Sequence, residues 1–189
     1  MRLLLYFLVL MFWYFSCNRN SHILDEPGEL PATQGKNFGV DTIEISAAKP
    51  LPPAIIITQN ATPDSVVAFA KTLIGVPYLY ASSDPAQGFD CSGFITYVFN
   101  RFKIKVPRSS VDFTNVGEEI DRAVSKPGDL ILFTGTESTV HVVGHMGIIT
   151  DNTDSLRFIH STSGKKFGVT ITSVNKYYER RFVKVIRIF

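Results

Sequence analysis

A chain of 189 residues, 45% of them hydrophobic, has room for one folded domain and a tail, with enough apolar material to build a core. A formal charge of +2, with no long run of like charges, argues against a nucleic-acid partner. Lys165–Lys166 and Arg180–Arg181 read as solvated loop and strand-end charges, and no internal repeat divides the chain.

The chain opens with "MRLLLYFLVLMFWYFSCNRN". Arg2 is a minimal basic start, and the apolar run Leu3 to Phe15 is shorter than the roughly 20 residues that span a bilayer. It fits the apolar region of a secretory signal, which places the mature protein outside the cytoplasm. Ser16 before Cys17 and Asn18 after it resemble the cleavage site of bacterial lipoproteins, in which the cysteine becomes the acylated N-terminus. Residues 1–16 are therefore expected to be a lipoprotein signal and Cys17 the lipidation site. Tyr14 and Phe15 depart from the small or aliphatic residues usual there.

Residues 17–61 are rich in Pro, Gly, Asn, Ser and Thr, and "EPGELPATQG" and "AAKPLPPA" are unable to sustain a helix. They read as a tether, with "DTIEIS" and "AIIIT" as short strands able to dock on a folded domain. That domain is predicted over 62–189. It starts with a helix capped by Thr62, with Pro63 at its first position, an apolar stripe through Val66, Val67, Phe69, Ala70 and Leu73, and Gly75 at its end. After the loop "VPYLYASSDPAQG", a second helix is predicted from Cys91, capped by Asp90, with Phe94, Ile95, Val98, Phe99 and Phe102 at helical spacing. From residue 129 the pattern changes to strands: "DLILFT", "HMGIITD", "LRFIHS", "VTITSV" and "RFVKVIRIF". Helices first and an antiparallel sheet after them define an α+β domain.

Cys91 and Cys17 are the two cysteines. If Cys17 is acylated, Cys91 is a lone thiol in an exported protein, a setting that otherwise favours disulfides. A buried structural thiol is the ordinary alternative. The polar neighbours Asp90 and Ser92 argue against an all-apolar site, and the start of a helix favours a thiolate and offers N–H groups to an oxyanion. Cys91 is thus expected to ionise below the ordinary thiol range, with Gly93 giving a substrate backbone close approach.

A thiol nucleophile needs a base, commonly histidine, and the chain has His22, His141, His145 and His160. His22 lies in the tether. A hairpin turning at Asn152–Thr153 would pair Asp151 with Asp154, Ile149 with Leu156, Gly147 with Phe158, and His145 with His160, so that one imidazole orients the other. Pairing His141 with His160 instead would put the turn inside the apolar Ile148–Ile149 run, so His145 is preferred as the base and His141 is placed at a cleft rim. A metal site on His141, His145 and His160 is disfavoured, because no general base stands between such ligands and strands rather than a helix carry them.

"GVPYLY", "GFDCSGF", "VPRSS", "KPGDLILF", "GHMGIIT" and "FIHSTSGKKFGV", in this order, resemble the NlpC family of papain-like cysteine endopeptidases of bacterial cell walls over roughly Thr62 to Phe189. The resemblance implies a papain-like α+β fold with N-terminal helices packed on an antiparallel β-sheet. It implies Cys91 as nucleophile, His145 as base and His160 as the orienting third residue, with Tyr78, Asp90 and Ser92 lining the substrate cleft. It further implies cleavage of peptidoglycan stem peptides, often between D-γ-glutamyl and a diamino acid, with no metal or organic cofactor. The partners expected are stem peptides and, through the lipid, a membrane. The protein is expected to act as a monomer facing the periplasm from the outer membrane. An amidase or acyltransferase on the same scaffold, or a non-catalytic wall-binding lipoprotein, are the alternatives. "YASSDPAQG", Phe113 and the long loop Gly135 to Val143 depart from the family pattern near the expected subsites.

Overall fold

The computed structural model describes residues 52–136 and 142–189. The leader, Cys17, His22 and most of the proline-rich segment lie outside the described residues, as does His141. Thr62 and Ser65 cap the first helix reciprocally, each side chain accepting the other's backbone N–H at 3.2 Å. With Pro63 pre-set at its first position, helix α1 runs Pro63–Thr72 and buries Val66, Val67 and Ala70. Gly75 follows in the left-handed region at φ 92°, as the turn out of a helix requires. Helix α2, Cys91–Asn100, is capped by Asp90, whose carboxylate accepts the Gly93 N–H at 2.6 Å. It buries Phe94, Ile95, Val98 and Phe99. Among the described residues no helix is long and apolar enough to cross a membrane.

The loop between these helices carries a two-stranded hairpin, β1 (Ser83–Asp84) and β2 (Gly88–Phe89). Then come β3 (Glu118–Ile120), β4 (Leu130–Thr134), β5 (Val143–Asp151), β6 (Arg157–Thr162), β7 (Gly168–Ser173), a four-residue helix α3 (Lys176–Glu179) and β8 (Phe182–Arg187). Six strands form one antiparallel sheet in the order β3-β8-β4-β5-β6-β7. This is the α+β arrangement expected from the order of periodicities. The short strands β1 to β3 and α3 were not expected, because two to four residues show no period.

Alternation along the strands divides the core. Leu130, Leu132, Met146, Ile148 and Ile159 pack with the residues buried by α1 and α2. Ile131, Phe133, Ile149, Phe158 and Val185 form a second cluster closed by Tyr178 of α3. Ala54 bridges to Val116, with Ala54 N–H donating to Asn115 at 2.8 Å, and Ile56 and Ala61 pack on the first cluster. The end of the segment read as a tether is thus docked on the domain. Phe113, placed near the subsites by its motif, is fully buried in the first cluster, because the 3-10 turn Ser110–Asn115 points it inward.

The β5–β6 register differs by two residues from the expected one. Ile149 lies opposite Phe158 and Ile148 opposite Ile159, with an irregularity between Ile149 and Asp151. The link spans residues 152–156 rather than a tight Asn152–Thr153 turn. Asn152 is drawn away from the corner, donating through its amide to the carbonyls of Arg122 at 3.0 Å and Ser125 at 3.3 Å. A slip of two leaves every side chain on its face, because the strand period is two. His145 and His160 therefore still meet, diagonally instead of directly opposed.

Candidate active site

Cys91 is the first residue of α2, partly exposed, with its Sγ–H directed at the carbonyl of Gly144, 3.8 Å away. β5 makes this possible. The β5–β6 ladder begins only at Ile148 and Ile159, so the preceding edge of β5 is open to the helix end. The β4–β5 pairing shifts between Phe133 and Thr134, leaving Gly144 as an extra residue. A bulge of this kind bends a strand and turns its backbone groups. Gly144 is required there, since a Cβ would stand 2.7 Å from Gly135 Cα.

His145 lies beside this bulge and shares with Cys91 a cavity of about 820 Å³. Its Nε2 is 2.8 Å from Nδ1 of His160, and Nε2 of His160 is 3.0 Å from Thr172 Oγ1. His145 Nδ1 is the ring nitrogen outside this chain of bonds. His160 is fully buried beneath the cavity, with its ring against Phe158 and Tyr178. Gly147 lets β6 approach closely here: a Cβ at that position would stand 2.6 Å from the Phe158 ring, 2.8 Å from the Ile159 carbonyl and 3.2 Å from His160 Cβ. The fold thus brings Cys91, His145 and His160 together. The two imidazoles face each other at hydrogen-bond distance, and among the described residues no group of three or more His, Cys, Asp and Glu is placed to hold a metal ion.

Burial lowers the His145 imidazolium to about 3, and the positive charge of Arg181 adds to the effect. Burial also takes His160 well below its ordinary value, with further lowering from His145, Lys166 and Arg181. Both rings are therefore neutral at neutral pH. The expected depression of the Cys91 thiol is not found. Burial raises it above the ordinary value and the Asp90 carboxylate raises it further. The N–H groups of Ser92, Cys91 and Met146 pull the other way, so the helix-start effect is present and outweighed. The resting pair is a neutral thiol and a neutral imidazole.

Tyr78 lines the same cavity, and its phenol is raised by burial and by the nearby Cys91 and Asp90. Asp90 and Ser92, expected in the cleft, face elsewhere. Both are buried and neither lines the cavity. Arg108 Nη2 meets Asp90 Oδ2 at 2.8 Å, and Arg108 Nη1 reaches Asp90 Oδ1 and Ser92 Oγ at 3.0 Å each. Their role is to hold the start of α2, and the demand of a buried carboxylate for a bidentate cation decides it. Gly93, expected to admit a substrate, instead admits the Ser82 carbonyl, which an added Cβ would overlap. Arg108 lies inside the "VPRSS" stretch, where the sequence pattern assigns it no role. Thr172, Tyr178 and Arg181 were missed because their side chains come to the site only through the sheet order.

The fold and this site define a papain-like domain in which a helix-borne thiol meets a sheet-borne pair of imidazoles. The sequence profile of the NlpC/P60 family matches residues 75–187, more than half of the chain. The chain belongs to the NlpC/P60 family. It is 38% identical over 136 residues to the gamma-DL-glutamyl hydrolase of Bacillus subtilis (strain 168), covering 71% of this chain and 31% of that protein. It is 35% identical over 118 residues to the probable endopeptidase NlpC of Escherichia coli (strain K12), covering 60% of this chain and 70% of that one. Among solved structures it is similar to an NlpC/P60 family protein from Bacillus cereus ATCC 10987, with a TM-score of 0.60 and 26% identity, over 69% of this chain and 41% of that chain. The chain thus spans under a third of the B. subtilis protein and under half of the B. cereus one.

Proposed function

We propose that the protein is a cysteine endopeptidase of the bacterial cell wall that cleaves the D-γ-glutamyl–diamino acid bond of peptidoglycan stem peptides. One observation carries this reading. Cys91 at the start of α2 and His145 line one cavity, while His160 engages His145 Nε2 and leaves Nδ1 for the thiol. The name of the B. subtilis relative supports the γ-glutamyl bond as the target. Tyr78 contributes to holding the substrate beside the thiol.

Because the resting thiol is un-ionised, proton transfer accompanies attack. His145 Nδ1 takes the Sγ proton as sulfur adds to the amide carbon, and the oxyanion is held by backbone N–H groups at the helix start. The His145 imidazolium then protonates the leaving amine, giving a thioester on Cys91. Water, deprotonated by His145, hydrolyses the thioester and restores the thiol. For His145 to accept at Nδ1 its proton must reside on Nε2 and be donated to His160 Nδ1. His160 in turn donates from Nε2 to Thr172.

The protein works as a monomer, exported and anchored through an acylated Cys17 to the outer membrane, facing the periplasm. Incubation with defined muropeptides and mass spectrometry of the products tests the reaction. Two fragments split at the γ-glutamyl bond are expected, with none from Cys91→Ala. Activity surviving in Cys91→Ala sinks the mechanism, and a transferred acyl group marks the acyltransferase alternative. Labelling with a fatty acid that is lost in Cys17→Ala tests the anchor.

A further inference from the structure

Arg181 stands just before β8 and faces the cavity beside His145 and Tyr178. The described residues contain four ion pairs, and Arg108, Arg122 and Arg187 each meet a carboxylate in them while Arg181 meets none. Its donors go to neutral oxygens. Nε donates to the carbonyls of Thr134 at 3.2 Å and Gly135 at 3.1 Å, Nη2 to Thr134 at 2.6 Å, and Nη1 to the Tyr177 hydroxyl. The Thr134 N–H in turn donates to the Arg181 carbonyl at 2.8 Å. The corner so held lies against the thiol site. Gly144 backs onto Gly135, so that a Cβ on Gly144 would stand 2.7 Å from Gly135 Cα, and the Gly144 carbonyl receives the Cys91 Sγ–H.

The charge has its own consequence. One proton lies between His145 Nε2 and His160 Nδ1. A second proton on His160 would make Nδ1 a donor, turn His145 Nε2 into an acceptor, and move the His145 proton to Nδ1, the atom needed as base. Among the described residues, the groups facing the two rings are Cys91 from α2, Thr172 from β7, Tyr178 from α3, Lys166 from the β6–β7 loop, and Arg181. Two of these are cations and none is a carboxylate.

We propose that Arg181 is a positioning residue for the thiol–imidazole site, fixing the Thr134–Gly135 corner that places Gly144 and Cys91, and keeping the imidazole pair in the one tautomer that leaves His145 Nδ1 open. The assignment rests on Cys91 as nucleophile and His145 as base. Burial is the first reason that both rings resist a second proton, and Arg181 contributes to each.

Arg181→Gln removes the charge, whereas Arg181→Lys keeps it and loses the planar fork. The full chain of each is followed by NMR of nitrogen-15-labelled histidine and by the pH dependence of kcat/KM on a defined muropeptide, with circular dichroism to establish folding. In Arg181→Gln, the His145 and His160 resonances should titrate at higher pH than in the parent, and the acid limb of kcat/KM should move up with them. In Arg181→Lys, the titration should stay near the parent's while kcat/KM falls on the order of ten- to a hundred-fold from the displaced corner. An unmoved titration and tautomer in folded Arg181→Gln overturns the charge role, and full activity in Arg181→Lys overturns the clamp. A raised KM with an unmoved titration makes Arg181 a substrate contact and overturns the proposal. The titration is read without substrate. A parent that cleaves no muropeptide therefore refutes the proposed reaction, while the NMR result still decides the role of Arg181.

Discussion

Two polar pairs lie next to Cys91, each with one buried member, Asp90 or His160, and they are built in opposite ways. Asp90 and Arg108 carry opposite charges in a two-pronged contact at 3.0 and 2.8 Å, with the Gly93 N–H and Ser92 hydroxyl completing it. His145 and His160 are bases of one kind, 2.8 Å apart, and two charges there would repel. The first pair keeps full charges because each answers the other, and it fixes the helix that carries the thiol. The second stays neutral and is left with a direction, because a single proton between two nitrogens makes one ring the donor. A charged pair thus serves as a brace, and a neutral pair can serve as a relay.

The largest expected effect tests the relay. An amide side chain is not a base at neutral pH, so His145→Gln should abolish cleavage of a defined muropeptide in single-turnover assays. His160→Gln should keep measurable activity, reduced on the order of tens- to thousands-fold, because glutamine can still accept from His145 and donate to Thr172. Equal loss in the two folded variants would erase the distinction between base and orienter.

Breaking the brace should act on stability. Arg108→Met leaves the Asp90 carboxylate buried with no cation, held by the Gly93 N–H and the Ser92 hydroxyl. Because the Arg108 side chain is 43% exposed, the expected cost in urea denaturation is about 1–3 kcal/mol, below that of a fully buried pair. An unchanged urea midpoint would show that the brace is decorative.

Acid should distinguish the pairs again. His145 is held at about 3 when folded, against an ordinary 6.5. Between these values the unfolded chain binds more protons than the folded one, so stability rises with pH in this window. It is complete above the ordinary value and is lost as pH falls through the window toward the folded one. Thermal unfolding across this range should show that loss, and His160→Gln should lessen it by removing one of the two groups. A flat profile would mean that the rings are already charged in the folded protein.

Iodoacetamide labelling, on a Cys17→Ser background, sharpens the comparison at the sulfur. With the thiol raised, labelling of Cys91 should be slow at neutral pH and still climbing beyond the ordinary thiol value of about 8.5. A fast rate that is level through neutral pH would reveal a thiolate–imidazolium pair. The smallest effect lies far from both pairs. Thr62→Ala removes one half of the α1 cap and should cost about 1 kcal/mol without altering labelling of Cys91.

The sequence by itself determined the elements whose information is local. Thr62 with Pro63 and Asp90 before Cys91 are caps, readable because a cap acts on the next three residues. The five long strands follow from short apolar runs parted by turn residues, and with the helices they dictate α+β. The meeting of His145 and His160 was also legible, despite a register off by two, since parity alone assigns a face. Tertiary structure decided what depends on distant partners. Asp90 and Ser92 turn away from the cavity because Arg108 is there to receive them. Phe113 enters the core rather than a subsite. Arg181 reaches Thr134 and Gly135 because β8 pairs with β4, a strand far earlier in the chain. The thiol's proton affinity was decided there too: the helix start favours the thiolate locally, but burial and the Asp90 charge, both set by packing, outweigh it.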